Sequence, residues 1–275
     1  MKRYLASLGL AAAALAALAT TAHAGDGPPD VAYAVGSNVP GGSHIYRIDN
    51  FATTPTATVI SSPGFVLSDI GINPTNGDSY VVDALGNLYG LDRGNGALNL
   101  IGNTGVVGLN SLDVGPNGVV YARSWNSANI WTLDPLTAAA NVLLNTEFSG
   151  GSDIAVSPDG LELWATANTG SGIGTGLIRV NLNTLGVDVI GLFGTSAGLP
   201  GLDFDSQGSL WGFMGADSSP LAEVLSVNQL SGSASMVGTI AGAETLGLFG
   251  AAIVPEPASL SLLAVAGLVA LRRRS

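Results

Sequence analysis

The 275-residue chain contains no cysteine, which excludes disulfides, thiolate metal sites and a cysteine nucleophile together. Basic residues are almost as scarce. Five of the nine lie at the two ends (Lys2, Arg3, Arg272, Arg273 and Arg274), so Gly25 to Val254 keeps only Arg47, Arg93, Arg123 and Arg179. Nineteen of the twenty acids fall in that same stretch, for a net charge of 4 − 19 = −15. Such a surface repels nucleic acid, anionic lipid and acidic polysaccharide unless divalent cations bridge them. Neutral glycans, calcium, or plain solubility remain compatible with it. Without a lysine in the body, Schiff-base chemistry is excluded. His44 is the one histidine beyond Ala24, and no nucleophile-elbow sequence accompanies it. No glycine-rich phosphate loop opens a helix. No catalytic residues, no cofactor and no metal are therefore expected.

Both ends carry targeting patterns. Lys2 and Arg3 precede an Ala/Leu run from Leu5 to Leu18, and Ala22-His23-Ala24 is a small-x-small cleavage site with Gly25 as the first mature residue. This is the layout of a secretory signal peptide over residues 1–24. At the other end, Val254-Pro255-Glu256-Pro257 is followed by an uncharged run from Ala258 to Leu271 and then Arg272-Arg273-Arg274. The prolines cannot belong to the helix that follows them. That helix would extend about 21 Å, short of the ~20 residues of a permanent span, and the arginines stop it on the cytoplasmic side. The order Pro-Glu-Pro, short apolar helix, arginine cluster resembles the PEP-CTERM sorting signal of Gram-negative bacteria that make exopolysaccharide. The resemblance implies a sorting segment over 254–275, transient membrane insertion, recognition by an exosortase, removal of the helix and arginines, and delivery to the cell surface or extracellular matrix.

Between the ends, thirty-nine glycines, few charges and short apolar segments predict an all-β body. Its roughly 230 residues suffice to bury about 70% of the unfolded surface. The body repeats. Asp69-Ile-Gly-Ile, Leu112-Asp113-Val114, Asp153-Ile-Ala-Val and Leu202-Asp203-Phe204 each run into a Pro- or Asx-Gly turn, then a second strand bearing Tyr80, Tyr121, Trp164 or Trp211. Third strands end in Asp49, Asp92, Asp134, Asn181 and Asn228, which are turn formers, and a fourth strand follows. The first unit lacks an inner strand, while Leu246–Ile253 has no successor. Joined together they complete a fifth unit, as in a β-propeller that closes its ring and hides its edges. Tyr33 and the four later aromatics are spaced 47, 41, 43 and 47 residues apart. The expected fold is a five-bladed propeller of four-stranded blades over 25–253. Individual repeats are similar to the YVTN and NHL classes of propeller repeat, which implies a scaffold that hosts enzymes and inert binders alike.

Asp69, Asp113, Asp153 and Asp203 are the candidate ligand- or ion-binding residues, because ring symmetry would gather them at the channel. Converging carboxylates suit calcium or acid/base work on glycans. Recurrence in every complete repeat instead favours hydrogen bonding to loop N–H groups. Asp203 to Gly208 resembles a calcium loop only in part, lacking further ligands and a closing Glu. The matched aromatics are expected between blades. Loops 37–43, 168–176 and 215–221 vary most between repeats. The leading expectation is an exported, non-enzymatic surface or matrix propeller that meets signal peptidase and exosortase during export. Extracellular polysaccharide or other surface proteins are its expected partners. The alternative is a calcium-dependent lyase or hydrolase of matrix glycans.

Overall fold

Every repeat spells out strand, turn, strand, because β-prone runs are punctuated by residues that only turns accommodate. The turns after the inner strands contain Gly77, Gly118, Gly160 and Gly208, whose φ values are 80°, 81°, 72° and 81°, a region open to glycine at no steric cost. In the next set of turns, Asp92, Asp134, Asn181 and Asn228 each accept the backbone N–H two residues on, at 2.8–3.0 Å. Asp49 does otherwise: it pairs with Arg47 at 2.8 Å.

The computed structural model describes residues 30–39, 42–169, 176–195, 198–215, 222–242 and 247–255. Twenty strands form five separate four-stranded antiparallel sheets, a five-bladed propeller. Blade 1 contains β1 (Asp30–Val39), β2 (Gly42–Asp49) and β3 (Thr56–Ser61). Blade 2 is β4 (Asp69–Ile72), β5 (Ser79–Val82), β6 (Asn87–Leu91) and β7 (Leu98–Asn103). Blade 3 is β8 (Leu109–Val114), β9 (Val120–Ser124), β10 (Asn129–Leu133) and β11 (Ala140–Asn145). Blade 4 is β12 (Ile154–Val156), β13 (Glu162–Ala167), β14 (Gly176–Asn181) and β15 (Val187–Leu192). Blade 5 is β16 (Gly201–Phe204), β17 (Leu210–Met214), β18 (Glu223–Val227) and β19 (Ala234–Thr239).

The last strand, β20 (Gly247–Pro255), completes blade 1 from the inside, in the order β20-β1-β2-β3. Its pairing runs from Ser37↔Gly247 to Asp30↔Pro255, so the ring closes as the composite blade required. The strand reaches two residues past Ile253, taking Val254 and Pro255 of the Pro-Glu-Pro segment into the sheet. The signal-peptide positions Ala22, Ala24 and Gly25, and Glu256, Pro257 and Arg272 to Arg274, lie outside the described residues. Among the described residues no helix is long and apolar enough to cross a membrane.

Side chains alternate across each blade, so each sheet feeds two cores. Ala32 and Ala34 pack against blade 5 with Phe213 and Val224, whereas Val31, Tyr33 and Val35 pack against blade 2 with Ile70 and Val81. Five such inter-blade cores exist, and each takes one of the matched aromatics: Tyr33, Tyr80, Tyr121, Trp164 and Trp211. Each outer strand pair carries a register shift at the same place, opposite Tyr46, Tyr89, Trp131, Ile178 and Leu225. Such bulges twist an edge strand and discourage it from pairing with another chain.

One face of the ring carries the inner turns, the turns before the outer strands, and the adjoining residues Asp30 and Pro255. We call it the turn face. The loops between second and third strands and the blade-to-blade connections form the opposite, loop face.

Candidate functional site: buried carboxyls of the central channel

The inner strands β4, β8, β12, β16 and β20 surround the axis. A strand at that position has one edge with no neighbour, so its inward N–H groups need other acceptors. Four carboxylates supply them. Asp69, Asp113, Asp153 and Asp203 are all buried, and each Oδ1 accepts the N–H of the following residue at 2.7 Å. Each Oδ2 reaches the next blade. Asp69 accepts from Leu112, Asp113 from Val156 and Asp153 from Leu202, all at 2.6 Å. Asp203 accepts from Ile253 of the closing strand. All eight oxygens therefore hold backbone, and four of the five blade junctions carry a carboxylate clasp.

The four acids do not form one level, as simple ring symmetry would have it. Residues opposite the matched aromatics are Gly71, Asp113, Ala155, Asp203 and Ala252. Asp69 and Asp153 stand two residues earlier, level with Ser111, Gly201 and Gly250. Two residues along a strand keep the same facing but move about 7 Å along the axis. Acids thus alternate between two tiers in successive blades. Crowding explains the alternation: a Cβ on Gly71 would lie 2.9 Å from the Asp113 Cα, and one on Gly250 would overlap the Asp69 carboxylate. A hint was present in the sequence, since Asp69 and Asp153 stand five positions before the turn prolines Pro74 and Pro158. Asp113 is only three from Pro116.

Burial dominates the electrostatics. Desolvation raises the pKa of Asp113 to about 7, against the lowering effect of the N–H bonds from Val156 and Val114. Asp69, Asp153 and Asp203 are pushed well above the usual carboxylate range by the same cause. After burial, the charge of Asp69 is the next cause that raises Asp153. The lower tier lines a cavity of about 230 Å³ at the turn face, walled by Pro74, Pro116, Pro158 and Pro255, with Asp113 and Asp203 toward the axis.

Other candidates resolve locally. His44 Nδ1 lies 2.6 Å from Ser62 Oγ, with its ring edge-on to Tyr46. Asp205 accepts the N–H groups of Gln207 and Ser209 and the indole N–H of Trp211, a turn rather than a cation loop. No group of three or more His, Cys, Asp or Glu among the described residues has metal-holding geometry. Arg93 stacks over Tyr33 and Arg179 over Trp164, at 5.2 and 5.8 Å. Arg123 escaped the sequence reading: it is 0% exposed, donates to the carbonyls of Thr166 and Phe148, and is lowered to about pKa 10 by burial. Of the variable loops, residues 40–41, 170–175 and 216–221 lie outside the described set.

No family model and no curated protein matches the chain. Among solved structures, TolB from Acinetobacter baumannii superposes with a TM-score of 0.54 at 16% identity, covering 80% of this chain and 55% of that one. A chain of the nidogen/laminin complex gives 0.52 at 12% identity, over 82% and 97%. Kuenenia stuttgartiensis hydrazine synthase gives 0.44 at 14% identity, over 63% and 48%. The chain thus spans about half the length of the TolB and hydrazine synthase chains. What it shares with TolB and the nidogen/laminin chain is the propeller fold.

Proposed function

We propose that this chain is an exported, non-enzymatic propeller of the cell surface or extracellular matrix, sorted by an exosortase through its Pro-Glu-Pro tail. It would serve as a binding or structural component of the exopolysaccharide matrix. The observation that carries this reading is where the tail begins. Pro255 is the last residue of the ring-closing strand and pairs with Asp30, so the first and last described residues adjoin on the turn face. Cleavage before Asp30 or after Pro255 would leave all twenty strands of the five blades in place. The non-enzymatic part rests on the carboxyls, whose eight oxygens are committed to main-chain N–H groups.

The test is the intact mass of the surface form in an exosortase-bearing host. The reading expects loss of residues 1–24 and of the arginine tip, and retention of the unprocessed tail when Arg272, Arg273 and Arg274 are replaced by Ser. Surface material that still carries the arginines would overturn it. One observation favours a second reading, a calcium-dependent lyase or hydrolase: Asp113 and Asp203 adjoin the 230 Å³ cavity. Incubation with the host exopolysaccharide, with and without calcium, separates the two. Turnover that disappears in Asp113→Asn would establish the enzyme.

A further inference from the structure

Trp125 is 55% exposed, an unusual position for the largest apolar side chain. Trp131 and Trp164 are buried, and Trp211 packs edge-on against Phe51. The loop that displays Trp125 is nevertheless well tied. Its N–H donates to Gly108, its carbonyl accepts from Gly150, and Ser124 Oγ donates to the Val107 carbonyl at 2.9 Å. An indole held outward on an anchored loop contributes little to folding, which points to a ligand.

Its surroundings specify the chemistry. A Cβ on Gly108 would lie 2.6 Å from the Trp125 Nε1 and 2.8 Å from the Asn126 Nδ2. Only a glycine lets these two donors converge there, and neither has a partner among the described residues. Beside them, β8 bulges: Leu109 pairs with Ser124 and Ser111 with Arg123, leaving Asn110 as the extra residue. A bulge re-aims its side chain. Asn110 donates to the Gly151 carbonyl at 2.8 Å, but its Oδ1 has no partner, and neither do Ser111 Oγ and Arg123 Nε in the same sector. Ser111 and Arg123 are each 0% exposed. Unpaired buried polar groups are costly and rare, and three of the five such atoms among the described residues belong to Asn110, Ser111 and Arg123 of blade 3, the blade that carries Trp125.

Charge separates the two faces. Asp49, Asp78, Asp92, Asp134, Asp159 and Asp205 belong to the turn face, whereas the described segments of the loop face bring only Glu147 and Glu223 to the surface. Leu85 and Val107, 71% and 68% exposed, extend the uncharged surface beside Trp125 through the Gly108–Ala84 hydrogen bond. A net charge of −15 repels polyanions. What fits is an uncharged, hydroxyl-rich chain with apolar C–H faces. We infer that the loop face around Trp125 binds a neutral polysaccharide. The indole stacks on a sugar ring, and its N–H and the Asn126 amide donate to hydroxyls. This rests on the binding-component reading above and assigns it a face, the one opposite Asp30 and Pro255.

The test titrates the full chain, in zwitterionic detergent, with dextran, galactomannan and a soluble β-glucan, with alginate as the anionic comparison. Tryptophan emission reads the unaltered chain, since Trp125 is the indole a ligand would cover, and titration calorimetry reads binding by every variant. At least one neutral chain should shift emission to the blue, and Trp125→Ala should weaken its binding at least tenfold. Trp125→Phe should restore most of it, Asn126→Ala should weaken it severalfold, and Asp78→Asn on the turn face should leave it unchanged. Neutral chains bound equally well by Trp125→Ala would sink the site while sparing the binding reading. Silence toward every polysaccharide overturns both, and alginate bound as tightly as the neutral chains overturns the ligand class. A blue shift that grows with protein concentration alone would replace the glycan with a second copy of this chain.

Discussion

A protein whose buried acids are held protonated should be more stable in mild acid than at neutral pH. Asp113 is the cleanest case. Its pKa rises from an ordinary 3.8 to about 7 on folding, so between those values the folded chain keeps a proton that the unfolded chain has lost. Stability therefore falls as pH rises, by about 1.4 kcal/mol per pH unit for one such group. Over roughly three units that amounts to about 4 kcal/mol, or roughly 8 °C of Tm for a domain of this size. Asp69, Asp153 and Asp203 shift in the same direction. Asp134 and Asp159 are held low by backbone and side-chain hydrogen bonds, so their opposing effect begins only as pH drops below the usual carboxylate range. Self-repulsion of the −15 surface follows the same trend as the buried acids, which is why a variant is needed. Calorimetric unfolding from pH 4.5 to 7.5 should show Tm declining, and Asp113→Asn should remove about 1.4 kcal/mol per pH unit from that slope. A Tm that climbs with pH, or a slope identical in Asp113→Asn, would refute the buried-proton account.

Three further outcomes follow from the same geometry. Asp203→Ala strips the acceptor from Phe204 and Ile253 at the junction that closes the ring. It should cost about 2–4 kcal/mol and speed amide exchange at Ile253 more than at Leu112, measured by hydrogen exchange. Gly250→Ala drives a Cβ into the Asp69 carboxylate and should destabilise by about 1–3 kcal/mol. In a double-mutant cycle read by denaturant unfolding, most of that cost should vanish when Asp69 is already Ala. Trp164→Ala empties a 2%-exposed position in the core between blades 4 and 5, with an expected loss of about 3–5 kcal/mol by the same assay.

Much of this architecture could be read in the chain before any coordinates, and for local reasons. Pro and Asx-Gly pairs specify turns, aromatics recurring at 41 to 47 residues specify a unit, and an unpartnered strand at each end demands a composite sheet. The matched aromatics Tyr80, Tyr121, Trp164 and Trp211 were also legible as inter-blade packing, because large flat side chains suit sheet-on-sheet contacts. Tertiary structure decided which backbone groups the channel acids would meet. Asp69 accepts from Leu112, forty-three residues away, and only the docking of one blade on the next sets that contact. The two tiers likewise depend on ladder register, because an acid two residues earlier faces the same way at another height. Trp125 was one tryptophan among four in the sequence. Its exposure arises because Gly108, from a different connection, passes beneath it, and such convergence belongs to packing rather than to order along the chain.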